Sequence, residues 1–163
     1  LLNALAKSDA HVENRLFATL APTTRQVYVG DGDDYKPRVV LFSDTVGFVR
    51  DLPHQLIEAF KSTLEEAADA DLLVHVVDAS GPDAVGNIEA VNEVLSEIHA
   101  DGIETILVWN KVDRLDKDQR EILEELDQDL KIRKPGPSFF VSAHTGEGIE
   151  ELRSYFLTHP AMI

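Results

Sequence analysis

Apolar residues along this chain keep two rhythms, one of three to four residues and one of two. Leu1, Leu2, Leu5 and Ala6 share one helical face and stop near Lys7-Ser8-Asp9, which predicts the tail of a helix. Residues 10–24, ending Leu20-Ala21-Pro22-Thr23-Thr24, keep no period and read as a long loop. Gln26 to Val29 alternate as a strand does, and Gly30-Asp31-Gly32-Asp33-Asp34 has the chemistry of a tight turn. Arg38 to Phe42 then form an apolar run of buried-strand length, so a hairpin with a buried second arm is expected.

From there strands and helices alternate. Leu56, Ile57, Phe60 and Leu64 predict a helix over 53–69, with Pro53 in a first turn where its missing N–H costs nothing. Leu72 to Val77 predict a buried strand ending at Asp78, and Val85, Ile88, Val91, Val94, Leu95 and Ile98 predict a helix over 84–99. Residues 104–109 read as a third buried strand, and Ile122, Leu123, Leu126 and Leu130 place a helix over 117–130. Phe139-Phe140-Val141 is a short strand, and Ile149, Leu152, Tyr155 and Phe156 belong to a last helix that ends before Pro160. This alternation predicts a three-layer α/β fold with a mostly parallel sheet and ligands at the carboxyl ends of its strands.

Composition narrows the picture. With 163 residues and 44% hydrophobic content the chain suits one folded domain, 1–163. Thirty Asp and Glu against 15 Lys and Arg give a net charge of −15, which repels nucleic-acid phosphate and anionic membrane. Direct nucleic-acid binding by these residues is therefore not expected. The absence of cysteine removes disulfides, thiolate zinc sites and a Cys nucleophile, and fits a reducing, cytoplasmic setting. No apolar run approaches a membrane span, and the start Leu1-Leu2-Asn3, without Met or a leader pattern, reads as a piece of a longer protein.

The candidate chemistry stands at strand ends. Asn110-Lys111-Val112-Asp113 closes the run Thr105-Ile106-Leu107-Val108-Trp109. An Asp three residues after an Asn can accept the N1 and N2 donors of guanine, while the Asn serves the O6/N7 edge and the Lys stem lies across the base. Asp44-Thr45-Val46-Gly47 follows the strand at 38–42. Such an Asp can hold a water of nucleotide-bound Mg²⁺, and the Gly lets its N–H approach a terminal phosphate. Ser142-Ala143-His144 follows Phe139-Phe140-Val141. There a small residue lets a backbone N–H meet guanine O6, and Ser can brace the loop that carries the Asp. In the long loop Phe17-Ala18-Thr19-Leu20-Ala21 offers a Thr19 hydroxyl as a direct Mg²⁺ ligand, with Thr23 and Thr24 as rivals and a plain polar loop as the alternative. Other constellations are poorer. The six His show no H-E-x-x-H spacing, His75 reads as a core residue, Ser142 and His144 are too close for a triad, and the acidic run Glu121 to Asp129 reads as a solvated helix face.

Together these residues resemble a P-loop GTPase of the translation-factor class, and specifically the HflX family. Leu16-Phe17-Ala18-Thr19-Leu20, Pro22-Thr23-Thr24-Arg25 and the string from Asp44 to Leu56 are similar to that family's two switch regions, and Ala59 to Leu64 and Asn87 to Asn92 are also similar. The resemblance covers nearly the whole chain. It implies GTP and GDP as substrate and product, Mg²⁺ as cofactor, and a protein that binds the large ribosomal subunit and splits or rescues stalled ribosomes. Such a protein would be cytoplasmic, in part ribosome- or membrane-associated. By position, Asn110 and Asp113 would select guanine, Lys111 pack on the base, Ser142 and Ala143 complete the pocket, Thr19 and Asp44 serve the metal, directly and through water, and Gly47 the γ-phosphate.

The chain departs from the family in three places. No G-x-x-x-x-G-K-[ST] occurs in it, and in the family that phosphate-wrapping loop and the first strand come immediately before Leu1-Leu2-Asn3. The 163 residues alone are therefore expected to hold GTP negligibly, to be inactive, and to expose a slot where the strand belongs. Ala21 stands where the family often has Asp, and the family's N-terminal domain is not in this sequence. Where many GTPases have a water-orienting Gln after D-x-x-G, Phe48 stands here, which implies slow hydrolysis until the ribosome orders the switches. Arg50 and His54 lie in the same switch. The competing reading is a non-enzymatic α/β interaction module that has lost nucleotide binding.

Overall fold

The structure, a computed structural model, describes residues 1–6, 23–29, 38–45, 67–133 and 136–159. The features expected on 7–22 and 46–66 lie outside the described residues. They include Phe17 to Ala21, Val46, Gly47, Phe48, Arg50, His54 and all but the last turn of the helix over 53–69.

Helix α1 spans Leu2–Ala6 and buries Leu5. Strands β1 (Thr23–Val29) and β2 (Arg38–Asp44) pair antiparallel, from Thr23 opposite Asp44 to Val29 opposite Arg38. The two arms of the expected hairpin pair, its expected turn at 30–34 lying outside the described residues, and β1 begins at Thr23, three residues before the alternation is readable. Backbone pairing to β2 carries it that far, and the Thr24 and Ser43 hydroxyls hydrogen-bond across the pair at 2.8 Å. The second arm is not buried on both faces as its apolar run suggests. Val40 is 4% exposed, whereas Val39 and Leu41 are 50% and 64% exposed, because among the described residues only one face of the hairpin is covered.

Strands β3 (Leu73–Asp78), β4 (Thr105–Asn110) and β5 (Ser138–Phe140) form a parallel sheet with β4 central. Helices α2 (Ala84–Glu97), α3 (Lys117–Arg133) and α4 (Ile149–Thr158) connect or follow them. Successive residues of β4 point to opposite faces, which creates the layers. Ile106 and Val108 join Leu5, Val27, Val40, Val141, Leu152 and Phe156 on the side of α1, α4 and the hairpin. Trp109 joins Val77, Ile88, Val112 and Leu123 on the side of α2 and α3. Of the strands expected to be buried, β4 is; β3 leaves Val76 45% exposed. The two sheets share no ladder among the described residues.

The helix starts follow from local chemistry. Asp83 accepts the Gly86 N–H at 3.1 Å and caps α2. Asp116 and Gln119 bond each other's backbone N–H at 2.9 and 3.0 Å, a reciprocal box that opens α3. This helix runs three residues beyond the periodic apolar set, to Arg133.

Its acidic face is not wholly solvated. Asp127, inside the run Glu121 to Asp129, is 1% exposed and accepts from Trp109 Nε1 at 2.9 Å and Ser138 Oγ at 2.6 Å, with Lys131 Nζ at 2.9 Å. The carboxylate reaches inward because three donors replace water there. Arg153, 3% exposed on α4, is another buried charge that organises packing. It donates to the carbonyl of Leu5 and to that of Tyr28 at 3.2 Å, tying α1 and β1 to the last helix. No helix among the described residues is long and apolar enough to cross a membrane.

Candidate functional site

The parallel register brings the chemistry to one edge. Asp78 is opposite Asn110, and Trp109 opposite Phe140, so the residues after β3, β4 and β5 emerge together at the strands' carboxyl ends.

After Asn110 the chain turns sharply. Lys111 has φ 68° and ψ 31°, a left-handed conformation that costs a Lys about 1 kcal/mol or more. One 3₁₀ turn, Val112–Arg114, then presents Asp113 to solvent while Val112 plugs into the core at 1% exposure. Two contacts offset the strained bend: the Val112 N–H bonds the Val141 carbonyl at 3.2 Å, and Lys111 Nζ meets Asp78 Oδ2 at 2.6 Å. Burial pushes the Asp78 carboxyl up, but its bonds from Lys111 and Ser80 outweigh that and hold it below the usual carboxylate value.

The loop after β5 closes on itself. Ser142 N–H bonds the Glu147 carbonyl at 2.9 Å, Gly146 N–H the Ser142 carbonyl at 2.9 Å, and Thr145 N–H the Ser142 hydroxyl at 3.0 Å. Gly148 ends it at φ 70°, where a Cβ would stand 2.1 Å from the Phe140 carbonyl oxygen. Only glycine fits there.

The two loops are joined by side chains. Asn110 Oδ1 accepts the Ala143 N–H at 3.1 Å. The hydroxyl of fully buried Ser142, more than the smaller pulls of His144 and Arg114, outweighs desolvation and holds the Asp113 carboxyl below its usual value. Asp113 is thus an ionised, exposed acceptor, and Asn110 is set by the next loop. Such a pair offers an acceptor for two adjacent N–H groups of a planar ligand.

The remaining expected site residues fall as follows. Asn110, Lys111, Val112, Asp113, Ser142, Ala143 and His144 are brought together, His144 exposed on the loop. Asp44 ends β2, exposed, with Thr45 following. Of the rival Mg²⁺ ligands, Thr24 sits in β1 with its hydroxyl on Ser43, and Thr23 is the Cα partner of Asp44. Thr19 lies outside the described residues, as do its neighbours from Phe17 to Ala21, and Val46 and Gly47. Half-buried His75 is on β3 and outside the core.

The family model of 50S ribosome-binding GTPases matches residues 1–111. The chain belongs to that family. Its relatives are of HflX type: it is 48% identical over 155 residues to GTPase HflX of Magnetococcus marinus, covering 94% of this chain and 33% of that protein. Against GTPase HflX of Escherichia coli K12 the identity is 42% over 152 residues, covering 93% of this chain and 33% of the relative. The chain thus spans about a third of the length of these curated relatives. A GTP-binding protein of Sulfolobus solfataricus in complex with GDP is 26% identical with TM-score 0.67, over 94% of this chain and 45% of that one. Era of Aquifex aeolicus bound to GDP.AlF4- has TM-score 0.71 at 19% identity, over 97% and 51% of the two chains, a likeness of fold. The fold is that of the P-loop GTPases, as expected.

Within this GTPase fold, Asp78, Arg120 and Glu147 carried no readable motif. Asp78, which takes Lys111, is one acid at a strand end among thirty. Arg120 and Glu147 form a two-pronged ion pair at 2.6 and 2.9 Å between α3 and the loop after β5. Gly148 was also missed, although the Gly-Glu-Gly run before a helix was a signal that could have found it.

Proposed function

We propose that the whole protein binds guanine nucleotides and hydrolyses GTP as an HflX-type GTPase acting with the large ribosomal subunit. The observation that carries the reading is the joined pair of loops, with Asn110 Oδ1 on the Ala143 N–H at 3.1 Å beside exposed Asp113. Asp113 accepts the N1 and N2 donors of guanine; adenine presents neither pattern. The Lys111 stem, fixed at one end by its left-handed backbone and at the other by Asp78, covers a face of the base. Ala143 N–H, which meets Asn110 in this structure, is also the donor for guanine O6.

Mg²⁺ suits the donor chemistry at Asp44. This ion keeps several waters and takes one or two carboxylates beside substrate phosphates, and an exposed Asp at a strand end serves through water. Thr19 is the direct ligand in this reading and Gly47 the γ-phosphate contact. When bound, the ion neutralises charge on the phosphates. Phe48 cannot orient water by hydrogen bonding, so intrinsic turnover is slow and rises when the large subunit orders the switches.

Competition binding on the whole protein tests the first part: GDP and GTP displace a fluorescent guanine nucleotide at concentrations where ADP and ATP do not. Phosphate release with and without purified large subunits tests the second. Equal displacement by adenine nucleotides, or turnover indifferent to large subunits, would refute the respective part.

A further inference from the structure

Arg120 lies in the first turns of α3, away from both strand-end motifs, yet it touches both loops. Its Nη1 and Nη2 meet the two Glu147 carboxylate oxygens at 2.6 and 2.9 Å, and Nη2 also donates to the Val112 carbonyl at 3.1 Å. Val112 stands between Lys111 and Asp113, and Glu147 accepts the Ser142 N–H through its own carbonyl. One guanidinium therefore spans the loop that carries Asp113 and the loop that carries Ser142 and Ala143. Planar, two-pronged pairing fixes orientation as well as distance. Asp113 lies within electrostatic reach of both members of the pair.

We infer that Arg120 and Glu147 are positioning residues for base recognition, holding the two guanine-binding loops in register. The inference rests on the proposed guanine site and deepens it. Without the brace, the Ser142 loop shifts relative to Asp113, and the 2-amino group of guanine loses part of its acceptor. Phosphate contacts are made elsewhere, so GDP and GTP suffer alike.

Whole-protein variants Arg120→Glu, Glu147→Arg, the double reversal and the milder Glu147→Gln are titrated with GDP, GTP and IDP, whose base lacks the 2-amino group. Each single change is expected to weaken GDP and GTP equally, about three- to tenfold, and to reduce the preference for GDP over IDP. The double reversal is expected to recover only part of the loss, because it rebuilds the ion pair to the Ser142 loop while the carboxylate introduced by Arg120→Glu cannot donate to the Val112 carbonyl. Unchanged affinities in the single variants, or a lowered melting temperature with an unchanged IDP-to-GDP ratio, overturns the brace. Failure of the wild-type protein to prefer GDP over ADP overturns the guanine site itself, a result separable from the others because it appears before any substitution.

Discussion

Asn110 Oδ1 accepts the backbone N–H of Ala143 at 3.1 Å, joining residues 33 positions apart. The contact makes the Asn a fastener between loops as well as a candidate contact to the base edge. In Asn110→Ala the Ala143 N–H loses its acceptor and the loops lose their direct link. Guanine-nucleotide affinity of the whole protein is expected to fall at least tenfold, about 1.5 kcal/mol or more. Calorimetric titration with GDP measures it; an unchanged affinity refutes the double role.

Asp113→Asn exchanges one acceptor oxygen for an amide that donates. Guanine then meets a donor against its own 2-amino group, whereas xanthine presents a carbonyl there. GDP binding should drop by about tenfold or more, and xanthosine diphosphate should overtake it. Competition between the two diphosphates reads the preference directly. Retained GDP preference would move base selection away from Asp113.

Gly148→Ala places a methyl into the Phe140 carbonyl oxygen, at a backbone φ of 70° that alanine avoids. The expected cost is about 2 kcal/mol or more, with the Ser142 loop displaced. Urea unfolding gives the first figure and GDP titration the second effect. Wild-type behaviour in both would show that the loop tolerates another path.

Asp127 predicts an acid dependence. Burial pushes its carboxyl up most strongly, but the bonds from Ser138, Trp109 and Lys131 together hold it below the usual value. A carboxyl lower in the folded than the unfolded state contributes stability above about pH 4, the unfolded value, and loses it as pH falls through the folded value. The stability gap between wild type and Asp127→Asn should therefore be full at pH 7 and shrink below about pH 4. Denaturant unfolding across that range checks it; a gap constant with pH would show that the carboxylate is not ionised in the fold.

Much of this protein was legible from periodicity. The uninterrupted apolar run from Thr105 to Trp109 predicted β4 as a buried strand, and the helical spacing of Ile88, Val94 and Leu95 predicted α2. Asn110 to Asp113 and Ser142-Ala143 were legible because backbone turns and base-edge chemistry constrain short, contiguous stretches. What the sequence left open depends on residues far apart. Whether Leu41 is covered depends on what packs against β2, and whether Asp127 faces water depends on Trp109 and Ser138 meeting it. The same holds for Arg120, one of 15 basic residues until the fold sets Glu147 against it. Sequence by itself determined the elements and the candidate guanine contacts, since both are written in local spacing. Only the tertiary structure decided which charges are buried, which apolar faces stay open and what joins the two loops, because these are properties of pairs that the chain brings together by folding.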